Sequence, residues 1–510
     1  VKTDSTSTLE RLSLETLRGG HPVGTTGPRV APGALTIGIV HFGIGAFHRA
    51  HQAVFTEDAA AASGDTRWGI LGVTGRADSV VRQLQPQDCL YGVLQKGAEA
   101  TSLRIVGTVR DVAWPARDSE KVVATLARAT THIATLTITE KGYLRAGDGI
   151  DLGLAVVQQD LALIERELLG ECDLPASKSP IGLLVRGLAR RFRGGAEPFT
   201  VLSCDNLVNN GALTRALVFS LVEALAPGAG RDELQAWLAA SVSFPSSMVD
   251  RIAPATTAAD RAEALGLLGL RDEALVVAEP FTQWVIEDDF AGPRPAWEEA
   301  GAILTTDVTP YERAKLRILN ATHTQLAYLG ALKGHATIAQ AIADPALRAV
   351  ARSTIDADIL PTLDVPFGLN LEEYRDSVLE RFTNPNLPHT TLQVGMDGSQ
   401  KLPTRILGTA WDRLNAGHRP AGLALTVAAW ITFVASTLQT DGPTLDDPLA
   451  TRLQQAVASV DAAVTEPAAL VDRFFALAEV FPPEVSASTE FRAAVVDQLG
   501  EVQRLVRTSA

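Results

Sequence analysis

The sequence predicts an α/β fold: an N-terminal, doubly wound domain over residues 1–300, followed by a mainly α-helical domain over residues 301–510. Two observations carry this. Up to about residue 305, short apolar runs rich in β-branched residues alternate with helical patterns, the texture of βαβ units and a mostly parallel sheet. Beyond that point helical periodicity dominates and few strand signals remain. No internal repeat or low-complexity tract interrupts either half.

In chain order, residues 1–33 read as a loosely structured leader with a few helical turns, ending in a Gly/Pro-rich patch. Leu35–Phe42 is short and apolar enough for a buried parallel strand. It runs into Gly43-Ile-Gly45-Ala-Phe-His-Arg-Ala-His-Gln52 and a helix through about residue 62. Trp68–Val73, Leu103–Val112, Ile133–Thr139 and Phe199–Ser203 are further strand runs, separated by helices at about 117–129, 154–168 and 179–193. In the second half, helical patterns occupy 311–331, 336–355, 371–382, 421–438, 446–464 and 467–479.

Composition bounds the function. A chain of 510 residues with 46% hydrophobic and 20% charged residues is an ordinary globular protein with ample length for a large core. A formal charge of −14 argues against nucleic acid or an anionic membrane as partner, because neither is attracted to it. Cys89, Cys172 and Cys204 are too scattered for a disulfide framework or a zinc ribbon. The N-terminal residues lack the apolar core of a signal peptide, and Ala421–Leu438, interrupted by Thr426, Thr432, Ser436 and Thr437, suits a buried helix better than a membrane span. The expectation is a cytoplasmic protein acting on a small molecule. No coiled-coil or exposed apolar stripe demands assembly, and a monomer or weak homo-oligomer is the expectation.

The strand–Gly43-x-Gly45–helix arrangement begins a dinucleotide fingerprint of the Rossmann-like kind. One glycine permits the tight turn, the other lets the backbone approach a pyrophosphate, and the helix start offers N–H groups to that anion. Phe42, Gly43, Ile44, Gly45, Ala46 and Phe47 are therefore candidate cofactor contacts. His48 stands where the third glycine of the common pattern would be. The acid for the adenosine ribose belongs at the carboxyl end of the second strand, where Asp78 is the candidate; Arg76 beside it could instead favour a 2′-phosphate. NAD is expected over NADP. His48 and His51 lie one helical turn apart without a third ligand, so no metal is expected.

Residues 311–323, Tyr-Glu-Arg-Ala-Lys-Leu-Arg-Ile-Leu-Asn-Ala-Thr-His, read as helix entered through Pro310. At about 100° per residue, Glu312, Lys315, Asn320 and His323 share an arc of roughly 140° with Leu316 and Leu319, while Arg313 and Arg317 lean outward. Burying an acid, an amine, an amide and an imidazole together is costly without a task. Taken alone, an i,i+3 pair of Glu312 with Lys315 and satisfied core polar groups would also explain the pattern.

The glycine-turn run together with Lys315-x4-Asn320-x2-His323 resembles the polyol-specific long-chain dehydrogenases, the family of mannitol 2-dehydrogenase and fructuronate reductase. The resemblance extends through Thr137-Ile-Thr-Glu-Lys-Gly-Tyr143, Ser203-Cys-Asp-Asn206, Phe244-Pro-x3-Val249-Asp-Arg-Ile252, Glu279-Pro-Phe-x-Gln-Trp-Val-Ile-Glu-Asp288 and Asp397-Gly-Ser-Gln-Lys401. It implies metal-independent, NAD(P)-dependent interconversion of a secondary alcohol and a ketone. By the same resemblance Lys315 sits at the general-base lysine, and Asn206 and Asn320 sit at the amides that hold the reacting oxygen. His323 takes a substrate-binding histidine's place, Asp250 a supporting acid's, and Lys401 a further substrate contact's. Glu312 and Glu140 match acids along a proton and water path.

The residue types suit that chemistry. A secondary alcohol is a poor acid, so a base must take its proton as hydride leaves, and a lysine serves near neutral pH only if its surroundings lower its pKa from about 10.4. Two amides stabilise the developing alkoxide without adding charge.

Substrate is read from a departure. Mannitol dehydrogenases of the family carry arginine eight residues before the lysine at Lys401; here Gln393 stands there. The stretch Asn384–Arg405 looks more like the fructuronate reductase branch, with His389, Lys401 and Arg405 available to meet a sugar acid's carboxylate. D-Fructuronate/D-mannonate is therefore expected, with D-fructose/D-mannitol as the alternative. Three rivals stand beside it. Tyr311-x3-Lys315 matches the Tyr-x3-Lys of short-chain dehydrogenases, a zinc polyol dehydrogenase would need a Cys/His/Glu ligand set, and a non-catalytic NADH-binding sensor would need no base.

Overall fold

The computed structural model describes residues 10–507 except 21, 23, 148, 196–197, 229, 388 and 459–466. Part of the helix expected over 446–464 lies outside these residues, as do the first nine of the leader; Ala450–Ala458 is helical. The chain divides into two compact units, Val1–Thr309 and Pro310–Ala510.

The first unit is organised by a six-stranded, wholly parallel sheet. Its strands are β1 (Ile37–Phe42), β2 (Gly69–Val73), β3 (Val109–Ala113), β4 (Ile133–Leu136), β5 (Phe199–Ser203) and β6 (Val242–Ser243). Across the sheet they run β6-β5-β4-β1-β2-β3, the doubly wound order whose winding reverses between β1 and β4. The strands are near-continuous apolar runs because both faces are covered. Alternate residues feed different cores: Val40, Leu71 and Val201 join one cluster with the helices Pro115–Leu126, Ala155–Leu168 and Pro180–Arg193. Ile39 and Ile70 join the other, with Ala50, Val54 and Phe55 of α1 (Ala46–Ala50) and α2 (Gln52–Ser63).

The helix after the glycine turn is two helices. It breaks at His51 (φ −123°, ψ −88°), whose ring is held against Phe47 and Phe55 and whose Nε2 pairs with the Gln283 carbonyl at 2.9 Å. Tertiary contacts of one side chain override the continuous helical pattern. The strand Tyr91–Lys96, the three-stranded sheet of Ser247–Asp250, Gln283–Glu287 and Ile303–Thr305, and the helices Asn210–Glu223, Arg231–Ser241 and Ala258–Leu268 carry too little periodicity to stand out in the sequence.

The second unit is helical. Ala421–Ser436 is buried almost throughout and packs on Ala321–Leu332 and on Thr489–Arg507, a 19-residue helix absent from the elements expected from the sequence. Among the described residues no helix is long and apolar enough to cross a membrane.

Candidate active site

In the first unit, a cavity of about 730 Å³ opens where β1, β2 and β4 end. That is the switch point of the sheet, where doubly wound folds bind their ligands, and the volume suits a sizeable organic molecule. Phe42, Gly43, Ile44 and Gly45 line it, opposite Thr137, Ile138 and Thr139 that follow β4. Ala46 and Phe47 do not: they pack against the apolar cluster under α1.

The turn is fixed by sterics. Gly43 has φ +94°, and a Cβ there would lie 2.1 Å from the Thr137 carbonyl oxygen. Its N–H donates to Val73 O at 2.8 Å, and the Thr137 hydroxyl donates to Gly43 O at 2.9 Å. His48, at the missing third glycine, lies flat on His41 with ring centroids 3.3 Å apart. The close approach that a third glycine would supply comes instead from β2, where a Cβ on Gly72 would meet Ile44 Cδ1 at 2.1 Å. Burial holds His41 down to a pKa of about 3 and depresses His48 as well, so both rings are neutral near pH 7.

Asp205, which the motif readings pass over in favour of its neighbour Asn206, organises the far wall. Its carboxylate accepts from the N–H groups of Ile138 and Thr139 at 2.9 and 2.8 Å and from the Tyr143 hydroxyl at 2.9 Å. These bonds hold Thr139 at φ +61°, strained for a β-branched residue. Asn206 is exposed after β5, Asp250 is buried at the end of its strand, and Glu140 is exposed and not part of the cavity lining.

Asp78 also stays out of the cavity lining. Its carboxylate is taken by Arg82 at 2.7 Å, one turn along the helix α3 (Ser79–Leu84).

In the second unit, the helix begun at Thr309–Ala314 does not stay α-helical. Lys315–Asn320 is a π-helical turn, the N–H of Ala321 bonding to Leu316 O, before α-helix resumes over Ala321–Leu332. The 100° wheel therefore fails across this segment. Arg317, expected to lean outward, is buried, its guanidinium on Asp412 Oδ2 at 2.6 Å and Thr362 O at 3.2 Å. Lys315 and Asn320 are both buried at 8% exposure, Leu319 is buried, and Leu316 and Glu312 are half-buried. Tyr311 is buried with its phenol donating to Phe367 O, so its proton is engaged by the backbone.

One turn on, His323 stacks on Phe382 at 4.9 Å and meets His389 at 5.6 Å. Burial, then His389, Arg405, Lys401 and Arg381, depress its pKa well below the ordinary value. Lys401 spends donors on the carbonyls of Val394 and Met396, and burial followed by Arg405 lowers its pKa. Arg405, in the π turn at Pro403–Leu407, donates to Thr324 Oγ1 at 3.1 Å and has no carboxylate partner among the described residues. Gln393 is exposed in the short helix Thr391–Gly395. The described residues contain no group of three or more His, Cys, Asp or Glu placed to hold a metal ion.

Comparison with known proteins agrees with this architecture. Residues 37–299 match the mannitol dehydrogenase Rossmann domain and residues 307–503 the mannitol dehydrogenase C-terminal domain. The chain is 38% identical to the D-mannonate oxidoreductase of Escherichia coli (strain K12) over 465 residues, 90% of this chain and 91% of that protein. Among solved structures, a Pseudomonas fluorescens mannitol 2-dehydrogenase in ternary complex with NAD and D-mannitol superposes with TM-score 0.81 at 33% identity, covering 97% of this chain and 98% of that one. A substrate-free D-sorbitol dehydrogenase superposes with TM-score 0.84 at 30% identity, covering 97% and 99%.

Proposed function

The chain belongs to the mannitol dehydrogenase family of oxidoreductases, and from that premise we propose that its substrate pair is D-mannonate and D-fructuronate. Arg405 carries this reading. A half-buried guanidinium cannot be neutralised, and leaving it without a carboxylate partner has a cost that an arriving anion would relieve. Arg405 also lies close enough to His323 and Lys401 to perturb both, which puts its positive charge beside two residues assigned to substrate. A sugar acid supplies the missing carboxylate; a neutral polyol does not.

The cavity at the switch point fits a nicotinamide dinucleotide: Gly45 and Gly75 leave it open to close backbone approach, and Arg76, Lys141 and Lys178 line it with positive charge. When bound, the nicotinamide accepts or delivers the hydride. Lys315 takes the alcohol proton in oxidation and returns it in reduction, a contribution on the order of 10²–10⁴-fold. Asn320, carried on the same π turn, donates its amide to the reacting oxygen, and resemblance gives Asn206 the matching role. His323 and Lys401 orient the substrate, with His389 and Arg405 at its carboxylate. For Glu312, Asp250 and Glu140 resemblance supplies supporting roles only, and Gln393 stands where the mannitol dehydrogenases carry arginine.

Assaying D-fructuronate, D-fructose, D-tagaturonate and D-xylulose with NADH and NADPH tests this. The highest kcat/KM is expected for D-fructuronate. A preference for D-fructose would move the chain to the mannitol branch, and binding of NADH without turnover of any substrate would make it a sensor.

A further inference from the structure

The rim of the dinucleotide cavity nearest β2 lacks the feature that selects an unphosphorylated ribose. In doubly wound dinucleotide folds an acid beyond the second strand accepts the adenosine ribose hydroxyls, and the same carboxylate repels a 2′-phosphate. Here the residues leaving β2 are Thr74-Gly-Arg76-Ala-Asp78-Ser79. Thr74, Arg76 and Ser79 line the cavity, Asp78 does not, and among the described residues no Asp or Glu lines it. Asp78 is held by Arg82.

What replaces the acid is cationic and hydroxylic. Arg76, Lys141 and Lys178 line the cavity, and Arg76 has no ion-pair partner among the described residues. Its loop is tied down by Trp114, whose indole N–H donates to Arg76 O at 3.3 Å. The Thr74 side chain is only 6% exposed, and its hydroxyl has no hydrogen-bond partner. A guanidinium and the Ser79 hydroxyl on one short loop, with Lys141 and Lys178 in the lining of the same cavity, are a donor set that a phosphate monoester can use.

We propose that the loop Thr74–Ser79 is a 2′-phosphate site with Arg76 as its principal cation, so that this chain binds NADPH at least as tightly as NADH. The proposal rests on the dinucleotide reading of the cavity. It replaces the preference for NAD that the spacing of Asp78 suggests, and it does not require NADH to be excluded.

The test is equilibrium binding to the full chain, followed by the fluorescence of the reduced nicotinamide. The dissociation constant for NADPH should equal or fall below that for NADH, and 2′,5′-ADP should displace either nucleotide at lower concentration than 5′-ADP. Arg76→Ala, a change at an exposed position, should weaken NADPH about tenfold while moving NADH less than twofold, and Arg76→Lys should restore part of the loss. NADH binding tenfold tighter than NADPH, or an Arg76→Ala protein with unchanged NADPH affinity, overturns the proposal. If neither nucleotide binds, the dinucleotide reading itself fails, a result distinct from loss of selectivity.

Discussion

Lys315 and Asn320 are the first and last residues of one π-helical turn, both buried. In an α-helix residues five apart diverge by about 140°, whereas the wider turn of i→i+5 bonding brings them closer to one face. The turn thus narrows the angle between the two residues proposed to share one substrate oxygen. π turns inside α-helices often mark functional sites.

Replacing Lys315 by Ala should cut turnover by about 10²–10⁴-fold while leaving NADH and NADPH dissociation constants nearly unchanged. Stopped-flow and binding measurements on the purified variant check both halves. Turnover within threefold of the parent would remove Lys315 from the mechanism.

Tyr311 distinguishes lysine from tyrosine chemistry. Because its phenol is bound to Phe367 O, Tyr311→Phe should cost about 0.5–1.5 kcal/mol of stability and leave kcat within a few-fold. Near-total loss of turnover in a folded variant would instead support a tyrosine acid–base.

Arg405→Met should raise KM for D-fructuronate at least tenfold and leave any activity of the parent on D-fructose essentially unchanged. Removing a charge-assisted carboxylate contact typically costs about 1.5–3 kcal/mol. Equal losses on both ketoses would point to general damage and against a carboxylate contact.

The stacked histidines predict an acid limit. His41 is held near a pKa of about 3 against 6.5 when unfolded, so between these values the unfolded chain binds more protons. Stability present above pH 6.5 should therefore decline as pH falls through that window, by on the order of a few kcal/mol from His41 alone. Replacing His41 with Asn should flatten the fall in melting temperature between pH 6.5 and 4; an unchanged slope would assign the acid sensitivity elsewhere.

Gly43→Ala should abolish dinucleotide binding and destabilise the first unit. At φ +94°, the added methyl group would fall 2.1 Å from the Thr137 carbonyl oxygen, and no local relaxation relieves a clash with backbone. Thermal melting and NADH titration measure the two effects separately.

The pattern of apolar runs determined the doubly wound sheet, because a strand buried on both faces must be mostly apolar, and β1, β2, β4 and β5 are, with His41, Thr200 and Ser203 among the buried polar exceptions. It likewise marked Ala421–Ser436 as a buried helix, and the glycine pair as a turn. Tertiary structure alone decided which polar groups face what. Lys401 was drawn to two carbonyls and Tyr311 to Phe367 O, while Arg405 was left without a counter-charge among the described residues. A sequence gives spacing along an ideal helix or strand. The break at His51, where the ring meets the Gln283 carbonyl, and the π turn at Lys315–Asn320 both shift that spacing, and a side chain's partner follows the shifted geometry.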